Sequence, residues 1–244
     1  MKKEKVLKLD KKVGETPLEC LERFRQENPE YAKVKMTYAG RLDPLASGVL
    51  LVLTGEECKK KEKYLALDKE YKVTILFGLA TDSGDVLGLI EEKKEGAIEV
   101  LGNYKQADFK DLLRKFVKNF KQKYPKFSSP AISAGTEVGL PEKEVEIKDI
   151  EFLSFGFVSK KYLKDLALEN IFSVKGNFRQ NMIWVAWEQT LEKFKDKDLP
   201  TLTIKVTCTS GTYMRSLAYN IGKELGLPAL ALNIKRTQIY PPKA

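Results

Sequence analysis

Asp43 is the residue in this chain best placed to do chemistry. It lies in Tyr38-Ala-Gly-Arg41-Leu-Asp43-Pro44-Leu-Ala-Ser-Gly48, directly ahead of an apolar run over 49–53. Gly40 permits backbone conformations that other residues resist. Asp followed by Pro predicts a short helical turn with Asp43 as its N-cap and Pro44 as its first residue. A purely structural cap is one reading; a carboxylate held for catalysis is the other. The 244 residues contain no histidine, which removes the commonest general base, the commonest metal ligand and every imidazole-dependent triad. Chemistry here must run on carboxylate, lysine, tyrosine or thiol.

A second segment, Cys208-Thr-Ser-Gly211-Thr-Tyr213-Met-Arg215, leads from a strand into a helix. Its apolar face is Met214, Leu217, Ala218, Ile221 and Leu225, and it stops at Gly226 before Pro228. Arg215 falls in the first turn, where a cation opposes the helix dipole by a few tenths to about 1 kcal/mol. An exposed arginine is the plain alternative, but an anionic partner, carboxylate or phosphate, explains the position better.

The elements that must position these residues read as follows. A short strand over 5–9 precedes a helix that opens with a Thr16–Glu19 capping box and Pro17, and ends near Asn28-Pro29. Alternation over 71–77 predicts a strand, 81–85 a turn, and 86–91 a returning strand. Residues 92–106 read as a loop, and 107–121 as an amphipathic scaffold helix. Tyr124-Pro-Lys-Phe127-Ser-Ser-Pro130 reads as an extended loop, 145–157 as a strand, 161–168 as a helix, 171–174 and 182–187 as strand-like, and 201–207 as a clear strand. The last strand candidate, 232–239, contains Lys235-Arg236-Thr237. Helices among mostly hairpin-connected strands imply an α+β fold on a mostly antiparallel or mixed central sheet. No repeat or linker divides residues 1–244, so one domain is expected.

At 43% hydrophobic content the chain can bury a large core. No apolar run approaches the roughly 20 residues of a membrane helix, and the charged start has no signal-peptide pattern, so a cytoplasmic location is expected. The three cysteines are widely spaced, without disulfide or metal-knuckle spacing. A net charge of +9 favours a polyanionic partner. Only seven of the 43 basic residues are arginine, and Arg41, Arg215 and Arg236 fall in the segments already singled out.

Taken in order, the motifs resemble the TruB family of tRNA pseudouridine synthases, relatives of the dyskerin-type enzymes that work with guide RNAs. The similarity rests on Asp10-Lys11 with Gly14 and Thr16; Gly40-Arg-Leu-Asp43-Pro44-Leu-Ala-Ser-Gly48; and Tyr71 in Lys69-Glu-Tyr-Lys-Val. It continues through Thr81-Asp82 with Asp85 and Gly88, Tyr124-Pro with Phe127-Ser128, Gly176-Asn-Phe178-Arg179, Gly211-Thr-Tyr213-Met-Arg215 and Arg236-Thr237. Each motif alone is weak; agreement among six or more in sequence order is strong. Two departures stand out. Tyr38 occupies a position where the family usually has histidine, and the small C-terminal RNA-binding domain of the PUA type that many bacterial members carry is not expected here.

The resemblance implies a pseudouridine synthase fold and a cofactor-free, metal-free isomerisation of the T-loop uridine at tRNA position 55, with the uridine flipped out of its loop. Asp43 is then the catalytic carboxylate, acting as nucleophile at base or sugar or as the base that takes a ribose proton. Arg215 is its partner, Tyr71 stacks on the uracil, and Ile234 closes the pocket. Tyr38 and Lys11 belong to the substrate-binding set, and Arg41, Lys235 and Arg236 to the RNA-backbone set. The expected partner is the T-arm of tRNA, bound by a monomer. The competing readings are a non-catalytic tRNA-binding or folding chaperone on the same scaffold and, less well supported, a guide-RNA-dependent enzyme.

Overall fold

The computed structural model describes residues 4–123, 127 and 142–240. Strand β1 (Val6–Lys11) leads to helix α1 (Pro17–Glu27), followed by β2 (Met36–Ala39), β3 (Ser47–Thr54), α2 (Lys61–Leu65) and β4 (Lys69–Phe77). Next come β5 (Leu79–Thr81), β6 (Ile90–Lys93), α3 (Ala97–Leu101), α4 (Gln106–Arg114) and β7 (Asn119–Gln122). The rest is β8 (Lys143–Ser159), α5 (Lys160–Ser173), α6 (Gln180–Lys193), β9 (Asp198–Cys208), α7 (Met214–Glu224) and β10 (Ala229–Ile239). The α1 capping box forms as the sequence predicts, with Thr16 Oγ1 accepting from Glu19 N–H and Glu19 accepting from Thr16 N–H.

Eight strands form one sheet in the order β1-β3-β10-β4-β9-β8-β7, with β2 also on β3. Every pairing is antiparallel except β10 on β3, so the sheet is mixed and the fold α+β. β2 and β10 share one edge of β3: β10 takes Ser47 and Gly48, and β2 takes Leu51 to Thr54. The turn carrying Asp43 therefore joins two paired strands beside a third. Gly48, at φ 98°, has no room for a Cβ, which would lie 2.2 Å from the Arg236 carbonyl oxygen; only glycine lets β3 and β10 approach this closely.

Both faces of the sheet are covered, because alternate residues of β4 and β9 point to opposite sides. Val73, Ile75, Leu202, Ile204 and Val206 pack with α4 and α7. Leu76, Leu199 and Leu230 pack with Leu163, Ile183 and Trp187 of the α5–α6 hairpin. Among the described residues no helix is long and apolar enough to cross a membrane.

Six local expectations need correction. Residues 43–46 form no helix: the chain turns once, closed by Ala46 N–H donating to the Asp43 carbonyl at 3.0 Å, so the Asp43 carboxylate caps nothing. The 92–106 loop contains α3, and the 107–121 helix is α4, which stops at Arg114 before β7. The returning strand after the 81–85 turn is Ile90–Lys93, paired with β5 in a separate two-stranded sheet. Its predicted start is turn instead, anchored by Trp187 Nε1 donating to the Gly88 carbonyl. Residues 171–174 and 182–187 are helical for all or most of their length. Their aromatic and β-branched side chains suit strands, but Ile183, Trp187 and Leu191 lie four apart and bury one helical face. The 124–130 loop expectation, Phe127 excepted, falls outside the described residues.

Candidate active site

A cleft of about 480 Å³ opens where the β2–β3 turn, β4, β10 and the start of α7 meet, a size typical of small-ligand sites. Asp43, Tyr71, Arg215 and Ile234 all line it, as do Tyr38 and Arg41. Sequence motifs from the start and the end of the chain thus converge.

Arg215 is the electrostatic centre. Its Nη2 lies 2.8 Å from Asp43 Oδ2, its Nη1 donates to the Ser83 carbonyl at 2.7 Å, and its Nε lies 3.7 Å from Asp85 Oδ2. Burial works against the guanidinium charge, but Asp43 and Asp85 outweigh it and hold the pKa above the usual arginine value. Asp85 is buried, and that burial pushes its carboxyl up; Arg215, Ser83 Oγ and Leu87 N–H pull the other way. The anionic partner that the helix-dipole argument required for Arg215 is therefore a pair of carboxylates. They differ in access: Asp43 keeps 29% of its side-chain surface exposed, whereas Arg215 and Asp85 keep 4% each. The cleft thus offers an approaching molecule the acid but not its counter-ion.

Neighbouring elements fix this arrangement. Gln122 of β7 exchanges two hydrogen bonds with the Tyr213 backbone, at 3.2 and 2.9 Å, and so clamps the loop that starts α7. Arg236, on β10, donates to the carbonyls of Val49 at 2.7 Å, Gly40 at 3.1 Å and Arg41 at 3.4 Å. It is buried, so the structure corrects its assignment as an RNA-backbone contact: its charge is spent holding the turn that carries Asp43. Lys11 is corrected in the same way. It is fully buried, and its ammonium donates to the carbonyls of Lys12, Glu15 and Pro44 behind the turn. Burial pulls its pKa down to about 8. Arg41 is exposed at the cleft, and Lys235 is exposed outside the cleft lining.

Tyr71 is half-buried, and its surroundings raise its phenol pKa, chiefly through burial. Tyr38 also lines the cleft, with the Lys61 ammonium 5.6 Å from its ring centroid. Two groups escaped the sequence reading. Lys69 is buried at the cleft, donates to the Leu65 and Leu67 carbonyls, and is pulled down to about 8, first by burial and then by Arg236. Its place two residues before Tyr71 on one strand was the available signal. Asp85 was visible only as a turn residue; the unexplained charge of Arg215 pointed to it.

Residues 28–167 match the family model described as TruB family pseudouridylate synthase, N-terminal domain. The chain belongs to the TruB family. It is 29% identical to tRNA pseudouridine synthase B of Bordetella pertussis, over 97% of this chain and 81% of that protein. The corresponding figures for the Parabacteroides distasonis enzyme are 28%, 96% and 85%. Among solved structures, the Cbf5-Nop10-Gar1 complex superposes with a TM-score of 0.58 at 20% identity, over 96% of this chain and 48% of that one. The archaeal box H/ACA Nop10-Cbf5 complex gives 0.55 at 19%, over 98% and 48%. This chain therefore spans about half the length of those structural neighbours, and the likeness shows a shared fold. Family membership places the Asp43 turn in a pseudouridylate synthase framework, and no part of the geometry above conflicts with it.

Proposed function

We propose that this TruB-family protein converts a tRNA T-loop uridine, at position 55, to pseudouridine, with Asp43 as the catalytic carboxylate. The observation that carries the reading is the accessible Asp43 held by the inaccessible Arg215 inside a cleft lined by Tyr71 and Ile234. The reaction breaks the N1–C1′ bond, turns the base and forms a C5–C1′ bond, while the hydrogen leaves C5 and N1 gains one. No atom is added or lost, so one positioned carboxylate suffices as nucleophile or base. Tyr71, Ile234 and Leu42 give the cleft the aromatic and aliphatic surface that a flat uracil would pack against. Stacking on Tyr71, at roughly 1–3 kcal/mol, helps offset the few kcal/mol needed to flip the nucleotide out. Arg41 is placed to meet phosphate at the cleft.

The test is incubation of the purified protein with an unmodified tRNA transcript, followed by carbodiimide labelling and primer extension to map pseudouridine. Wild type is expected to modify one T-loop uridine, and Asp43→Asn to bind equally while losing at least about 10²–10⁴-fold in rate. Tight binding by wild type with every uridine unmodified would favour a tRNA-binding chaperone instead.

A further inference from the structure

The connection between α5 and α6 carries surface features that neither the core nor the catalytic cleft uses. Phe178 leaves 46% of its surface exposed, yet the loop around it is built rigidly. The Gln180 amide donates to the Val174 and Gly176 carbonyls at 3.0 and 2.6 Å and accepts from Phe178 N–H at 2.9 Å. Arg179 sits in the left-handed region at φ 62°, one of two non-glycine residues with positive φ among those described. Strain of this kind persists only where surrounding contacts enforce it, and it concentrates at functional sites. The result is an aromatic ring held out to solvent at little remaining entropic cost to a partner.

Cations flank the ring. Lys175 is 82% exposed and has only a 3.4 Å contact to Glu19. The Arg179 guanidinium lies over the Phe127 ring at 4.6 Å and pairs with Asp82 at 3.1 Å. That pair ties the loop to the active site, because Asp82 precedes Ser83, whose carbonyl holds Arg215. The other end is tied as well: Ser173 packs against Gly14, whose N–H donates to the Pro44 carbonyl beside Asp43. The loop is thus fastened to both supports of the catalytic pair.

Resting on the RNA reading above, we infer that Lys175, Phe178 and Arg179 form a second RNA contact, in which Phe178 stacks on an unpaired base and the two cations meet adjacent phosphates. An exposed ring between cations is the arrangement that binds single-stranded nucleic acid without reading its sequence. The +9 chain charge supplies the matching long-range field. A protein partner would also accept an exposed phenylalanine, but flanking cations and attachment to the uridine cleft favour RNA.

Steady-state modification of a tRNA transcript by Phe178→Ala, Phe178→Leu and Phe178→Trp tests this. The expected result is a KM raised about tenfold in Phe178→Ala, with turnover at saturating RNA changed less than twofold. Phe178→Trp should restore KM because it keeps a π-face, whereas Phe178→Leu, which keeps only bulk, should not. Lys175→Ala should lower the slope of log affinity against log salt by about 0.7–0.9. Unchanged KM in Phe178→Ala, or rescue by Leu as good as by Trp, overturns the contact while leaving the catalytic reading standing. A wild-type protein that neither binds nor modifies RNA overturns both.

Discussion

Arg215 does three jobs with one side chain: it pairs with Asp43, orients it, and neutralises the buried Asp85. Replacing it by Met leaves a buried carboxylate without its cation, a loss of about 3–5 kcal/mol. Urea unfolding of Arg215→Met should show that loss, and conversion should disappear with it. Arg215→Lys keeps the charge but cannot reach Asp43, Asp85 and the Ser83 carbonyl together. It should therefore fold better than Arg215→Met and still modify RNA poorly. At this scale the sequence was informative where a residue broke a local rule. A cation at a helix N-terminus demanded an anion, and an acid in a histidine-free chain demanded a use. It was uninformative for Lys11 and Arg236, because a basic side chain displays its charge in the sequence but not its partners. Both turned out to spend that charge on backbone carbonyls around the Asp43 turn.

The Asp43 turn owes its shape to three strands. β2 and β3 bring its ends together, and β10 lies close enough at Gly48 to lend Arg236 as a clamp. Arg236→Met orphans the Gly40 and Val49 carbonyls and should cost about 2–6 kcal/mol, at 1–3 kcal/mol for each unsatisfied group. Thermal or urea unfolding measures this. Because the turn loosens, kcat should fall more than KM rises. The strands themselves were legible from alternation and β-branching over 71–77 and 201–207, and α1 from its capping box. The α5–α6 hairpin was not fully legible, since Ile171, Ile183, Trp184, Val185 and Trp187 resemble a buried strand when read in short windows. Only the fourfold spacing of Ile183, Trp187 and Leu191 across a longer window separates the two periods. The brief β5–β6 pairing and α3 were too short to leave a pattern of their own.

Across the whole molecule, two buried lysines give stability an unusual pH dependence. Burial pulls both Lys11 and Lys69 down to about 8, against 10.5 ordinarily. Below pH 8 both are protonated whether the chain is folded or unfolded. Above it the unfolded chain holds protons that the folded chain has released, so stability should rise from pH 8 to 9, by on the order of 1 kcal/mol. Above pH 9 the rise should slow: Cys208, which burial raises from 9.0 to about 11, keeps its proton in the folded state and so offsets part of the lysine gain in that range. Guanidinium unfolding at constant ionic strength from pH 7 to 10 checks the shape; a steady fall from pH 8 would contradict it. The +9 charge makes a second demand at this scale, that RNA affinity decline steeply with salt.

The central claim joins these scales: a turn clamped by Arg236 presents Asp43, paired with Arg215, to a uridine that must lose its C5 hydrogen. Tritium release from tRNA transcribed with [5-³H]uridine measures that step directly. Wild type should release about one tritium per tRNA at completion, and Asp43→Asn none above background while still retaining the RNA on a filter. Release by Asp43→Asn at the wild-type rate would contradict the account.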